Sequence, residues 1–329
     1  MAVSASGDVF AWGLEASGQL GLGSHRTKAP TPTKVEALSG IGVTAISCGM
    51  YHTLALTDAG EVWSVGFGGS FLGGAGGLGH GDRKQLATPE KIAAFGEDGV
   101  RAASVSAGGY HSVVLDTDGG VWSWGRGEWG RLGHNDSSDL LTPTRLEACD
   151  EMGVGTALAG EAHSACLGRD GSVHTWGRNE HWQLGYEVVG LLNSGQSFDA
   201  QQEPAAVPLA EEAAGKRAVK LAAGETGCAV LMDDDSIYLW GMQRYFVPTR
   251  LPHAITGGIA DLRMGGSHVA IRTEDGRLFT YGKGTALCMP KKGRKSWECL
   301  EVTDASLKGF KVIDMDCGST STALILESA

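Results

Sequence analysis

The residues best suited to chemistry are four histidines, His52, His111, His163 and His268, each standing three positions after a glycine, Gly49, Gly108, Gly160 and Gly265. Imidazoles titrate near neutrality, so such a set could bind a metal or move a proton. The pattern points elsewhere. Each histidine sits at one place in a recurring segment, as in Cys48-Gly49-Met50-Tyr51-His52-Thr53-Leu54-Ala55-Leu56 and Ala107-Gly108-Gly109-Tyr110-His111-Ser112-Val113-Val114-Leu115. The segments at Gly224 and Gly318 carry Gly227 and Ser321 in the same slot. One histidine per repeat lies at equal radius rather than converging, so the set is expected to bond neighbouring backbone as a structural feature.

Other reactive signatures are missing. The sequence has no His-Glu-x-x-His, no nucleophile elbow and no cysteine spacing that suits zinc. Gly282-Lys283 lacks the glycine spacing and the Ser or Thr of a phosphate loop, and Asp233-Asp234-Asp235 reads as a hairpin turn with solvated charges rather than a calcium loop. No catalytic residue, metal or cofactor is expected, and the chain is read as a non-enzyme.

The elements that must position these residues are written repeatedly. Asp116-Thr117-Asp118-Gly119-Gly120-Val121-Trp122-Ser123-Trp124-Gly125 is the index copy; others close at Gly13, Gly66, Gly177, Gly241 and Gly282. Successive closing glycines are roughly 40 to 65 residues apart, the range of propellers and solenoids. In each copy a Gly-containing turn supplies positive φ for a hairpin, and period-two alternation marks a half-buried strand. A glycine-rich element follows, Ser17-Gly18-Gln19-Leu20-Gly21, Trp129-Gly130-Arg131-Leu132-Gly133 or Trp182-Gln183-Leu184-Gly185. Proline then opens the next strand, as in Thr88-Pro89 and Thr142-Pro143. Each unit is about four short strands.

In this order the elements resemble the regulator of chromosome condensation repeat family over nearly the whole chain. The resemblance implies an all-β β-propeller of four-stranded antiparallel blades. Six legible copies favour six blades, with the family's usual seven as the alternative. The repeats are expected to form a single domain over 1–329. Met1 to Val3 align with Leu54 to Leu56, and Thr322 to Ile325 fill the same slot, so both ends are expected at one blade. Pro208 to Lys220 is the one stretch expected to be helical.

Bulk properties restrict the role. A net charge of −11 argues against nucleic acid as the main partner. Lys291-Lys292-Gly293-Arg294-Lys295 is a solvated loop or a partner patch. Seven cysteines without a Cys-x-x-Cys pair fit a reducing compartment, and no apolar run reaches spanning length, so an intracellular protein, cytoplasmic or nuclear, is expected. Glycine is 51 of 329 residues without a Gly-X-Y period, which excludes collagen and fits turn-dense β structure.

Recognition then falls to the exceptions. Trp129 and Trp182 place large rings where the first copy has Ser17 and Gly18, with Arg131 and His181 beside them. Phe71 lies in the insertion Phe67 to Gly77, and Tyr186 to Pro204 is a second long departure. Phe71, Trp129, Arg131, His181 and Trp182 are the candidate partner-binding residues. The expected function is a non-catalytic protein-interaction platform, within a larger assembly or not. The resemblance also implies an alternative, guanine nucleotide exchange on a Ran-like small GTPase. Light-sensing members carry Trp directly after the glycine of the Gly-x-x-His element; here Met50, Gly109, Glu161, Glu225, Gly266 and Ser319 stand there, which argues against that role.

Overall fold

The computed structural model describes residues 1–23, 28–70, 74–96, 99–188, 200–283 and 295–329. Among them the chain forms antiparallel strands with only single turns of 3-10 helix. In the index copy, strand a is Ala102–Ala107, strand b His111–Asp116, strand c Val121–Gly125 and strand d Leu140–Arg145, paired in that order. The Asp116 carboxylate builds the b–c turn. It accepts from the Asp118 and Gly120 amides at 2.9 and 2.7 Å and from the Trp122 indole at 2.8 Å. The register sets His111 opposite Gly125 and Ser112 opposite Trp124. Strand b is buried along its whole length because it has a strand on either side in the sheet and further packing on both faces.

The same a-b-c-d order recurs in Val43–Cys48, His52–Thr57, Val62–Gly66, Leu86–Lys91 and in three later copies that begin at Val154, Ala218 and Ile259. The first copy has three strands, Ala2–Val3, Val9–Leu14 and Lys28–Lys34, and the last hairpin, Phe310–Cys317 with Thr322–Ser328, repeats strands a and b. Six sheets thus match the six legible copies, five of them four-stranded. The Phe67 to Gly77 insertion folds partly as a small hairpin of Gly69–Ser70 with Gly74–Ala75.

The chain divides into two compact units. One holds Met1–Arg169, Trp176–Arg178 and Ala200–Ala205; the other holds Asp170–Thr175, Asn179–Asp199 and Ala206–Ala329. The first unit's core includes Leu54, Phe95, Val114 and Trp124 in one cluster and Val113, Leu146, Cys166 and Trp176 in another. In the second, Leu239, Leu262, Ile271 and Tyr281 pack together.

The helix expected over Pro208 to Lys220 is reduced to one 3-10 turn, Glu211–Ala213. Gly215, at φ +80, ends it, and Ala218 already belongs to a strand that buries Ala218, Leu221 and Ala222. Burial therefore overrides the alanine-rich propensity. Trp124, Trp176 and Trp240 are fully buried, whereas Trp12 is exposed. Their bulk explains a glycine. A Cβ at Gly79 would lie 2.7 Å from the Trp124 indole nitrogen, and one at Gly133 would lie 2.8 Å from that of Trp176. Both glycines also have φ above +80.

Candidate interaction surface

The histidines fasten one copy to the next. His52 Nε2 lies 2.8 Å from Ser112 Oγ, and that hydroxyl donates its single hydrogen to the Gly77 carbonyl at 2.7 Å. Ser112 must then accept, so the His52 proton sits on Nε2. His111 repeats the arrangement with Ser164, 3.0 Å away, whose hydroxyl donates to the Arg131 carbonyl at 2.8 Å. His268 pairs with Thr322 at 3.0 Å. Burial lowers the pKa of His52 and of His163 to about 4. Burial, reinforced by the Arg131 guanidinium, takes His111 well below the usual range. Neutral, enclosed rings are suited to fastening and not to proton transfer at pH 7. Among the described residues, no group of three or more His, Cys, Asp or Glu side chains could hold a metal ion.

A second ring-and-hydroxyl pair holds the glycine-rich element against strand c. Ser64 donates to the Leu78 carbonyl and lies 2.8 Å from His80 Nε2; Ser123 does the same with Leu132 and, at 2.9 Å, His134. In the fourth copy Thr175 donates to Leu184 and Tyr186 replaces the histidine, its hydroxyl donating to the Thr175 carbonyl at 2.8 Å. The first copy has Ala11 and Leu22 there, so hydroxyl and polar ring are lost together. The signal was visible in the aligned copies as that joint change.

The tryptophans of the same element are held differently. Trp182 has φ +63 where Gly18 and Gly130 have +75 and +70, and Trp129 has φ +70. A bulky residue in the left-handed region is strained, by about 1–3 kcal/mol. Both rings are half-buried. The Arg178 guanidinium lies 5.2 Å from the Trp129 ring centroid, and Phe246 meets Trp182 edge-on at 5.8 Å. Phe246 and the adjacent Val247 are both exposed.

Arg131 and His181 have distinct settings. Arg131 is only 3% exposed and donates from Nε to the Glu128 carbonyl at 2.8 Å, so it closes the loop from inside. It thereby occupies the place of Gln19 and Gln183, whose side-chain oxygens accept the Ser17 and His181 amides. Burial lowers its pKa to about 10, and it remains charged at neutral pH. His181 is half-buried, with Nδ1 3.4 Å from Gln243 Nε2. Phe71, Asn193 to Ser197 and Lys291 to Arg294 lie outside the described residues.

One cluster escaped the sequence reading. Tyr51 and Tyr110, the residues just before two of the histidines, stack at 4.7 Å and 27°, and Phe67 meets them at 6.2 and 6.0 Å. The Arg126 guanidinium lies 5.6 Å from the Tyr110 ring centroid. The b–c register produces this, since each residue after a closing glycine donates its amide to the residue before the histidine: Phe67 to Tyr51 at 2.9 Å, Arg126 to Tyr110 at 3.0 Å. The alternation of tyrosine with small residues at that position was the available clue.

Serial four-stranded antiparallel sheets of this pattern define a β-propeller. The family model for the RCC1-like domain matches residues 1–246, and the chain belongs to that family. It is similar to the RCC1 domain-containing protein RUG3, mitochondrial, of Arabidopsis thaliana, 34% identical over 97% of this chain and 75% of that one. It is 29% identical to the human E3 ubiquitin-protein ligase HERC2 over 86% of this chain and 6% of the ligase. It is also 29% identical to the ultraviolet-B receptor UVR8 of Arabidopsis thaliana, over 73% of this chain and half of the receptor. The chain thus spans a small part of one of these relatives and half of another. Among solved structures, yeast RCC1 (Prp20) bound to Kap60 superposes with a TM-score of 0.82, covering 99% of this chain and 78% of that one at 19% identity. Human WBSCR16 gives 0.79, covering 97% and 87% at 22% identity.

Proposed function

We propose that the protein is a non-catalytic interaction platform whose loops, carried on rigid sheets, bind one or more protein partners. One observation carries this reading: the repeated polar residues are used in bonds within and between copies, while partly accessible rings and guanidinium groups gather at the loops. Tyr, Trp and Arg are the side chains that dominate protein interfaces. A propeller segment within a far larger ligase, as in HERC2, accords with recruiting rather than reacting. Trp129 in the first unit, and Trp182 and His181 in the second, are proposed as partner contacts on their own units, and Arg131 supports the Trp129 loop from beneath.

The reading places the protein inside a cell in a reducing compartment. Among the described residues, Cys149, Cys166 and Cys228 are buried. No helix of the described residues is long and apolar enough to cross a membrane. The mitochondrial designation of RUG3 makes fractionation into cytosol, nucleus and mitochondria part of the test. Affinity capture of the tagged chain from its own extract is expected to recover a stoichiometric protein. A chain that captures no protein but binds a small molecule tightly would contradict the platform. Nucleotide exchange is tested separately, and unaltered release of labelled GDP from Ran on adding the chain excludes it.

A further inference from the structure

We propose that Thr31 is a phosphorylation site for a proline-directed protein kinase, that Thr142 is a slower one, and that Thr88, in the same sequence pattern, is not modified in the folded chain. This goes beyond the platform reading and does not depend on it. The inference starts from strand d, the outermost strand of each sheet. In the first copy Gly13 pairs with Ala29 and Ala11 with Thr33, so Pro30, Thr31 and Pro32 stand opposite Trp12 alone. Ala87, Thr88 and Pro89 form the same bulge in the second copy, and Leu141, Thr142 and Pro143 in the third. Such extra residues are left unpaired by the ladder. Thr31, Thr88 and Thr142, the middle residues, are all exposed. The hydroxyls of Thr33 and Thr144 brace two of the bulges by donating to the Thr31 and Thr142 carbonyls at 3.1 and 3.2 Å.

The slot accepts negative charge. Glu298 is the middle residue in the sixth copy, and Glu203, which also precedes a proline, stands at the matching place in strand Ala200–Ala206 of the fourth; both are exposed. A phosphate on Thr31 gives the first copy such a group, with about −1.5 to −2 charge at pH 7. Each threonine is followed by proline and, three places on, by a cation, Lys34, Lys91 or Arg145. A residue before proline is held extended, the form in which a kinase cleft takes its acceptor. Lys34 and Arg145 pair with Asp8 at 2.9 Å and Asp150 at 3.0 Å, yet their side chains remain 35% and 47% exposed.

The proline separates the three sites. Pro32 is exposed, Pro143 is half-buried and Pro89 is buried. Pro89 packs on Gly21, where an added Cβ would lie 3.1 Å from its ring. A kinase that encloses the proline ring reaches it freely in the first copy, and in the second only when the strand opens locally. The transfer breaks the bond between the γ-phosphorus of ATP and the bridging oxygen and forms one to Thr31 Oγ1. The hydroxyl proton passes to the catalytic carboxylate of the kinase, and ADP leaves.

The test is incubation of the folded full chain with ATP and a purified cyclin-dependent kinase bound to its cyclin, with sites and rates read by peptide mass spectrometry. Peptides of residues 28–36, 85–93 and 139–147 serve as unfolded references. Thr31 is expected to be modified first and Thr142 after it. Thr88 should be slower than Thr31 by about tenfold or more in the folded chain, because the strand has to open first, although its peptide reacts like the Thr31 peptide. Pro32→Ala should slow Thr31 by about tenfold or more, the loss of one pocket contact, and leave Thr142 unchanged. Pro32 is exposed, and matched urea midpoints will show that the variant is folded. The proposal is overturned if the folded chain takes no phosphate at Thr31, if Thr88 or Thr142 reacts faster than Thr31, or if Pro32→Ala leaves the Thr31 rate unchanged. Thr31 phosphate is also expected on the chain isolated with phosphatase inhibitors from its own growing cells, and its absence there would overturn the proposal as well.

Discussion

Acid should unfasten the sheets before it touches most carboxylates. His52 and His163 are fully enclosed and have pKa values of about 4 through burial, against about 6.5 in an unfolded chain. Between those two values the unfolded state binds the extra protons. Stability is therefore complete above about pH 6.5 and lost as pH falls towards 4. At pH 5 the linkage amounts to about 2 kcal/mol per residue, or about 4 kcal/mol for the pair. That is a large share of the ~5–15 kcal/mol typical of a domain. His111, shifted in the same direction, adds to the loss. Asp8 and Asp234, lowered chiefly by hydrogen bonds from Lys34 and Lys216, stay ionised throughout this window and do not contribute. Urea unfolding followed by tryptophan fluorescence at pH 8, 6 and 5 measures the effect. His52→Gln should shrink the loss between pH 8 and 5 by about 2 kcal/mol, because one titrating group is gone. Stability constant within 1 kcal/mol from pH 8 to 5, or His52 and His163 NMR signals titrating near 6.5 in the folded protein, would refute the fastening role.

Four further outcomes follow. Ser112→Ala removes the acceptor of His52 and should cost about 1–3 kcal/mol in urea unfolding through the unpaired buried imidazole N–H, while the Gly77 carbonyl keeps the Trp124 indole as donor at 2.8 Å. Gly133→Ala should be equally or more damaging, since its Cβ would meet the Trp176 indole at 2.8 Å at a φ of +87; a thermal midpoint like the parent's would show that the loop yields freely. Trp182→Gly relieves a φ of +63 but forfeits the Phe246 contact, so stability should change by less than about 1 kcal/mol while partner capture falls. A single domain over 1–329 should unfold in one calorimetric transition, and two resolved transitions would assign the units separate stabilities.

The fold was legible because its signals are local and repeated. Turn glycines, alternating strands and the proline, which lies inside strand d rather than opening it, each recur in phase, so an ambiguity in one copy is resolved by the next. The structural role of His52 and His111 was equally readable from position, but their partners were not. Ser112 and Ser164 are one repeat away, and only the register brings hydroxyl and imidazole together. The surface was half legible. Trp129 and Trp182 stood out as departures from small residues, whereas Arg131 resembled an interface anchor because its burial depends on the loop folding inward around Glu128. Tyr51, Tyr110 and Arg126 looked like ordinary repeat variation until the sheets set them beside one another.

The most direct measurement is site-specific photocrosslinking in native extract, with p-benzoylphenylalanine placed in turn at 129, 182 and, as a control, 219. The platform account predicts one abundant protein adduct from the loop positions and none from 219. Equal labelling at all three positions, or adducts from 219 alone, would contradict it.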